Sequence, residues 1–171
     1  MLTRGRHEER LTADEAIDAL YRTRSSHAFR LAYLMSGDRT LAEEIVQEAF
    51  VRTWQSWERI RDADAYPYLR ATIINLARSA LRRKALEIRH AVRRREDVVN
   101  ENLADRVDTV RAVASLPPRQ RACVALRFYE DLSESQTAEI LGITVGGVKA
   151  QTAKALRRLA TILGGGDDDD E

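Results

Sequence analysis

Along most of this chain apolar residues recur three and four apart, the spacing that gathers them on one stripe of an α-helix. Ile17, Leu20, Tyr21, Ala28, Leu31 and Leu34 form the first stripe. Thr12 and Glu15 precede it as a capping box, in which a hydroxyl and a carboxylate three residues apart satisfy each other's unpaired N–H groups. Gly37 supplies the left-handed backbone that ends such a helix. Thr40 and Glu43 make a second capping box. The helix after it, expected over 41–57, buries Ala42, Ile45, Ala49, Phe50, Thr53, Trp54 and Trp57. A polar connection over 58–65 leads to a third helix near Pro67, a good first-turn residue, with the stripe Leu69, Ile73, Leu76, Ala77 and Ala80. With 8 Gly and 3 Pro in 171 residues, long helices fit better than a turn-rich β fold.

The periodicity decays over 84–106, which is basic first (Arg89, His90, Arg93, Arg94, Arg95) and then acidic and amide-rich, the pattern of a partly helical linker. It resumes near Asp108. Pro117 and Pro118 break that helix and start another, with Ala122, Ala125, Leu126 and Tyr129 on one face. Ser133 and Gln136 make a third capping box, Gly142 ends the short helix behind it, and Thr144 caps a last one reaching about Leu163. The expected architecture is all-α: two small helical domains over 11–84 and 108–163, a flexible linker over 85–107 and an acidic tail over 164–171.

The net charge of +1 hides a segregation. The tail holds five of the 27 acids, leaving 22 against 28 cations in the rest. Residues 70–95 carry nine Arg or Lys and one acid, and 140–166 carry four cations and no acid. Two basic zones fit two contacts with a polyanion, or two solvated helix faces. The tail reads as solvated chain or as a mimic of nucleic acid beside the last helix. No apolar run nears the roughly 18 residues of a membrane span, and MLTRGRHEER is not an apolar signal segment, so a cytoplasmic protein is expected. The single Cys123 excludes an internal disulfide and a Cys-pair zinc site, and reads as a core thiol. His7, His27 and His90 are scattered, with no clustered carboxylates or metal-ligand spacing, so neither enzyme activity nor a cofactor is expected.

The segment 133–163 has the layout of a helix-turn-helix: small Ala138, Gly142 four residues on, and apolar Val148 six further. Leu141, Ile143 and Val148 would fill the space between the helices. Val148, Thr152, Ala155, Leu156, Leu159 and Leu163 would dock the last one. The opposite face presents Lys149, Ala150, Gln151, Ala153 and Lys154, behind the cap Thr144. Long cationic and amide side chains near a helix start suit the major groove, where Lys reaches phosphates or guanine O6 and N7. A plain helical hairpin needs the same apolar pattern. Asn75, Arg78 and Arg82 share a second face, with Trp54, Trp57, Tyr66 and Tyr68 close in sequence, a combination suited to unstacked single-stranded bases. The alternative is that both tryptophans are core. Glu44, Gln47, Glu48 and Val51 make an exposed face, either a solvated surface or a docking site for a protein.

Together these segments resemble one family. LAEEIVQEAFVRTWQSW, residues 41–57, is similar to region 2.2 of sigma-70 family RNA polymerase sigma factors. AYPYLRATIINLARSALRR, residues 65–83, resembles regions 2.3–2.4. Residues 116–163, beginning LPPRQRACVALRFYEDLSESQTAEILG, resemble region 4. With only these two modules, the chain resembles the extracytoplasmic-function group, closest to SigE-like actinobacterial members. The resemblance implies that Glu44, Gln47 and Glu48 bind the polymerase β′ clamp helices, with Glu44 where the family often has Asp. It implies that Asn75, Arg78 and Arg82 read the promoter −10 element while the duplex opens, with 58–66 capturing a flipped base. It implies that region 4 reads the −35 element through Thr144, Lys149, Ala150, Gln151, Ala153 and Lys154, and that 119–131 meet the β flap. Residues 84–108 would thread toward the RNA exit path. Core RNA polymerase and promoter DNA are thus the implied partners, with an anti-sigma factor as a third that the resemblance allows. Thr137 and Thr152 stand where the helix-turn-helix core is usually aliphatic, and would pack through their methyls. The competing reading is a stand-alone helix-turn-helix regulator, which would bind DNA tightly without polymerase.

Overall fold

The computed structural model of the chain describes residues 12–60, 64–91 and 108–164. Among these residues all regular structure is helical. Helix α1 (Ala13–Ser36) starts at the expected capping box: Thr12 Oγ1 accepts from the Glu15 N–H, and the Glu15 carboxylate accepts from the Thr12 N–H at 2.9 Å. It ends at Gly37 with φ 72°. Helix α2 (Arg39–Gln55) starts earlier than its sequence pattern promised. Asp38, not Thr40, is the cap: its Oδ1 accepts from the Leu41 N–H at 3.0 Å. Gly37 reverses the chain so abruptly that Asp38 is already the extended residue (φ −136°, ψ 126°) a cap requires. Glu43, freed from any box, pairs with Arg39 at 3.2 Å.

A short α3 (Trp57–Ile60) leads to α4 (Ala65–Ala91). Asp64 accepts from the Tyr66 N–H at 3.0 Å in front of the first turn. Pro67 sits within that turn, where its missing N–H costs nothing. Helix α4 runs on to Ala91, into the stretch expected as linker. Helices α1, α2 and α4 pack mutually into the first unit. Leu31, Met35, Leu69, Ile73 and Ile74 are its largest fully buried side chains, and Ala28, Ala32, Ala42, Ala49 and Ala77 let the backbones approach. Thr53, also fully buried, satisfies its hydroxyl by donating to the Ala49 carbonyl at 2.7 Å.

The expected stripes hold except at their margins. Tyr21 is exposed, with its ring edge on Phe50 at 5.1 Å. Trp54 is 48% exposed, because Ala49, Phe50 and Thr53 already fill the buried face of α2; its indole N–H reaches Asp14 on α1 at 2.8 Å. Trp57 is half-buried and belongs to α3.

The second unit consists of α5 (Asp108–Ser115), α6 (Pro118–Val124), a π-helical turn (Ala125–Tyr129), α7 (Glu134–Leu141) and α8 (Val145–Gly164). Cys123 and Leu126 are fully buried, as the sequence pattern implied. The π turn carries one extra residue, visible as Glu130 N–H to Ala125 O at 3.0 Å. Asp131 follows with φ 51°, a conformation that Asp tolerates better than most residues. The Ser133–Gln136 capping box and the Gly142 cap form as expected. Along α8 the docking stripe is narrower than expected: Val148, Ala155 and Leu159 are buried, but Leu156 and Leu163 are exposed. These three residues, at helical spacing, make the buried stripe of α8, which packs on α5, α6 and α7, and Leu163 lies a turn beyond Leu159. The two units touch, because α1 packs on α5, α6 and the π turn. Residues 165–171 of the expected tail, linker residues 92–107 and His7 lie outside the described residues.

Candidate polymerase and nucleic-acid interfaces

The helix-turn-helix is built as its sequence requires. Ala138 and Leu141 on α7 and Val148 on α8 are buried at the crossing, and Ile143 is partly buried. Gly142 holds the turn at φ 64° and leaves open space around it. Thr144 Oγ1 accepts from the Gly147 N–H at 3.0 Å and so caps α8. Thr137 is fully buried and Thr152 partly so, and neither hydroxyl has a partner. Both therefore serve as aliphatic residues of the core.

On the opposite face Lys149, Ala150, Ala153 and Lys154 are exposed and Gln151 half-exposed, so the six expected −35 residues share the outer face and start of α8. Lys149 lies 3.6 Å from Glu134, a solvated pair of little energy that leaves its ammonium free to exchange partners. Ala150 and Ala153 keep the middle of this face flat, so a groove floor can come close to the backbone.

On α4 Asn75 and Arg82 are exposed, and Arg82 donates to Ser79 Oγ at 3.2 Å. Arg78 is half-buried and donates to the Ile140 carbonyl of α7 at 3.2 Å. The three side chains share one face, which borders a cleft of about 370 Å³ lined by Arg78 and Arg82 together with Pro118, Arg119 and Gly142. Near the start of α4, Tyr68 Oη and Ser56 Oγ share a hydrogen bond of 2.7 Å, and Arg59 donates to both. Trp54 and Tyr68 thus present ring surface near the expected base-capturing segment, of which residues 61–63 lie outside the described structure.

On α2 Glu44, Gln47 and Glu48 are exposed on successive turns beside Val51. Glu48 receives a bond from Arg52 at 2.6 Å. Gln47 also borders a groove of about 570 Å³ between α1 and α2, floored by Tyr21, Phe29, Tyr33 and Val46.

Matches to two families cover most of this framework: residues 20–87 match Sigma-70 region 2, and residues 106–159 match Sigma-70, region 4. The chain is 36% identical to the RNA polymerase sigma-E factor of Streptomyces coelicolor, over 83% of this chain and 82% of that one. The chain belongs to the sigma-70 family. It is also 33% identical to the ECF RNA polymerase sigma factor SigL of Mycobacterium tuberculosis, over 85% of this chain and 87% of that one. The fold is that of RpoE from Bartonella quintana, solved with the anti-sigma factor NepR, at a TM-score of 0.69, 21% identity and coverage of 90% and 97%. CnrH, solved with the cytosolic domain of CnrY, matches at a TM-score of 0.61, 18% identity and coverage of 90% and 91%. As an ECF sigma factor the chain is a transcription initiation factor that works with core RNA polymerase on promoter DNA, and not an enzyme. The stand-alone regulator is not favoured. No described helix is long and apolar enough to cross a membrane.

One cluster escaped the sequence reading. Glu130, at the end of the π turn, has a side chain only 2% exposed. Its carboxylate meets His27 Nε2 at 2.7 Å, the Tyr66 hydroxyl at 2.9 and 3.0 Å, and Arg70 Nη1 at 3.6 Å. Burial, reinforced by the neighbouring Glu130 carboxylate, raises the Tyr66 phenol far above its usual value, so it stays protonated and donates. His27 is also the ring against which Tyr129 stacks at 4.5 Å. No local pattern marks Glu130, since its partners lie 64 and 103 residues away for Tyr66 and His27.

Proposed function

We propose that the three exposed faces divide the work of initiation among three helices. The α2 face of Glu44, Gln47 and Glu48 docks on the β′ clamp helices. The α4 face of Asn75, Arg78 and Arg82 reads and holds the −10 strand. The outer face of α8, with Thr144, Lys149, Ala150, Gln151, Ala153 and Lys154, reads the −35 element, and 119–131 meet the β flap. The working units are residues 11–84 and 108–163, joined by 85–107, in the cytoplasm. An anti-sigma factor is a further partner, as NepR is for RpoE.

The observation that carries this division is the exposure of Glu44, Gln47 and Glu48 on a helix whose opposite side is wholly committed to the core. An acidic, amide-bearing face whose ion pair, Glu48 with Arg52, lies within its own helix, on the helix that matches region 2.2, fits a docking surface for a protein. The chemistry of the other two faces differs in a matching way. Asn75 can pair with a base edge through both its carbonyl and its amine, while Arg78 and Arg82 hold phosphates of the same strand. On α8 the small Ala150 and Ala153 can meet thymine methyls, with Lys149 and Lys154 at either side for phosphates or guanine.

Gln47→Ala combined with Glu48→Lys tests the assignment. Affinity capture of core polymerase should be lost, while the helical circular dichroism stays. Capture at the level of the unmodified chain would contradict it.

A further inference from the structure

The two units are not independent bodies on a tether: one buried carboxylate joins them. We propose that the chain, when free, rests in a closed state latched at Glu130, in which Arg78 of the α4 face is held on the helix-turn-helix and withheld from nucleic acid.

Each of the named partners of Glu130 belongs to the other unit: His27 to α1, Tyr66 and Arg70 to α4. A carboxylate taken out of water is tolerated only where donors replace the water, so this docking is specific and not a smear of apolar contacts. The latch has two flanks. On one, Tyr129 stacks on His27 with an interplanar angle of 18° and donates to the His27 carbonyl at 3.2 Å. On the other, buried Arg121 lies over Gly37, where a Cβ would come within 2.9 Å of its guanidinium. The π turn is what delivers Tyr129 and Glu130 side by side to this junction, and π turns of this kind recur at functional positions.

Closure places Arg78 on the Ile140 carbonyl and Arg78 with Arg82 in the cleft against Pro118, Arg119 and Gly142. This geometry cannot serve a promoter. Duplex DNA rises about 3.4 Å per base pair, so elements centred roughly 25 base pairs apart lie about 85 Å apart. Units in hydrogen-bond contact cannot touch both. Binding to polymerase and promoter must therefore select an open form, and the closed form lowers apparent affinity by the fraction of chains that are open. The occlusion half of this inference rests on the assignment of Arg78 and Arg82 to DNA; the latch does not.

Spin labels on the full chain read closure directly. Gln55→Cys and Ala160→Cys place labels on exposed sites of α2 and α8, while the native Cys123 is fully buried and stays unlabelled. The labelled parent should show one narrow, short distance. Glu130→Ala should broaden and lengthen it, and so should His27→Phe with Arg70→Met, which breaks the latch from the first unit and leaves the second untouched. A broad distribution in the parent, or an unchanged narrow one in both helical variants, would overturn the latch. Loss of helicity in both would overturn it too, by making the cluster a folding element. The opened variants should also bind a mixed-sequence single-stranded oligonucleotide at least about tenfold more tightly. Adding Arg78→Ala should remove that gain. Opening without any gain would leave the latch standing and overturn the occlusion of α4.

Discussion

Gly37 closes α1 at φ 72° while the Arg121 guanidinium approaches the place a side chain would occupy. Two separate demands therefore favour glycine there. Gly37→Ala should cost about 1–2 kcal/mol from the left-handed backbone alone, read from the midpoint of urea unfolding. Thr137 poses the reverse case. Its buried hydroxyl has no partner, so Thr137→Val should stabilise the second unit by about 1 kcal/mol, seen as a higher unfolding midpoint. Glu15 gives a pH dependence. Hydrogen bonds from the Thr12 N–H and then its hydroxyl hold the Glu15 carboxyl below its ordinary 4.5. A lowered acid stabilises the fold above its unfolded value and loses that contribution as pH falls through the lowered one. Amide exchange in the first turn of α1 should therefore quicken below about pH 4.5 relative to the turn after it.

At the scale of elements, local signals were legible and margins were not. The boxes at Thr12 and Ser133 need only neighbouring residues, and both form. The pattern Thr40–Glu43 is equally good on paper, yet Asp38 wins because the Gly37 reversal is complete two residues sooner. Trp54 obeys helical spacing, but spacing cannot say how wide a stripe the neighbours cover, and α1 and α4 leave it outside. The outer face of α8 was legible because its inner face is so clearly apolar. Lys154→Ala should shift base preference in a randomised −35 library, with a loss of about 1–3 kcal/mol at one position. Lys149→Ala should weaken binding to all sequences and flatten the salt dependence by about one ion. In the α2 double variant, Glu48→Lys also sets a like charge beside Arg52, so a stability loss of about 0.5 kcal/mol is expected beside the loss of polymerase capture.

At the scale of the whole molecule, the two modules and their order were legible from residues 41–57, 65–83 and 116–163. Their closure was not. Glu130 reads as an ordinary surface acid in a polar turn, and only the fold brings His27, Tyr66 and Arg70 around it. With Arg78 of the proposed α4 face held on the second unit, the free chain should have weak affinity for duplex DNA, with core polymerase fixing the separation of the two proposed DNA faces and supplying avidity.

Strand opening separates a sigma factor from any other helix-turn-helix protein. Permanganate reactivity of thymines around the start site, measured on a duplex promoter with core polymerase, reports it. Reactivity should appear only when chain and core are both present. Asn75→Ala should reduce it by the equivalent of about 1–3 kcal/mol, the value of one base contact, and a pre-melted −10 bubble should restore part of the loss. Thymines that stay unreactive with chain and core together, while the chain alone binds the duplex at nanomolar concentration, would contradict the account.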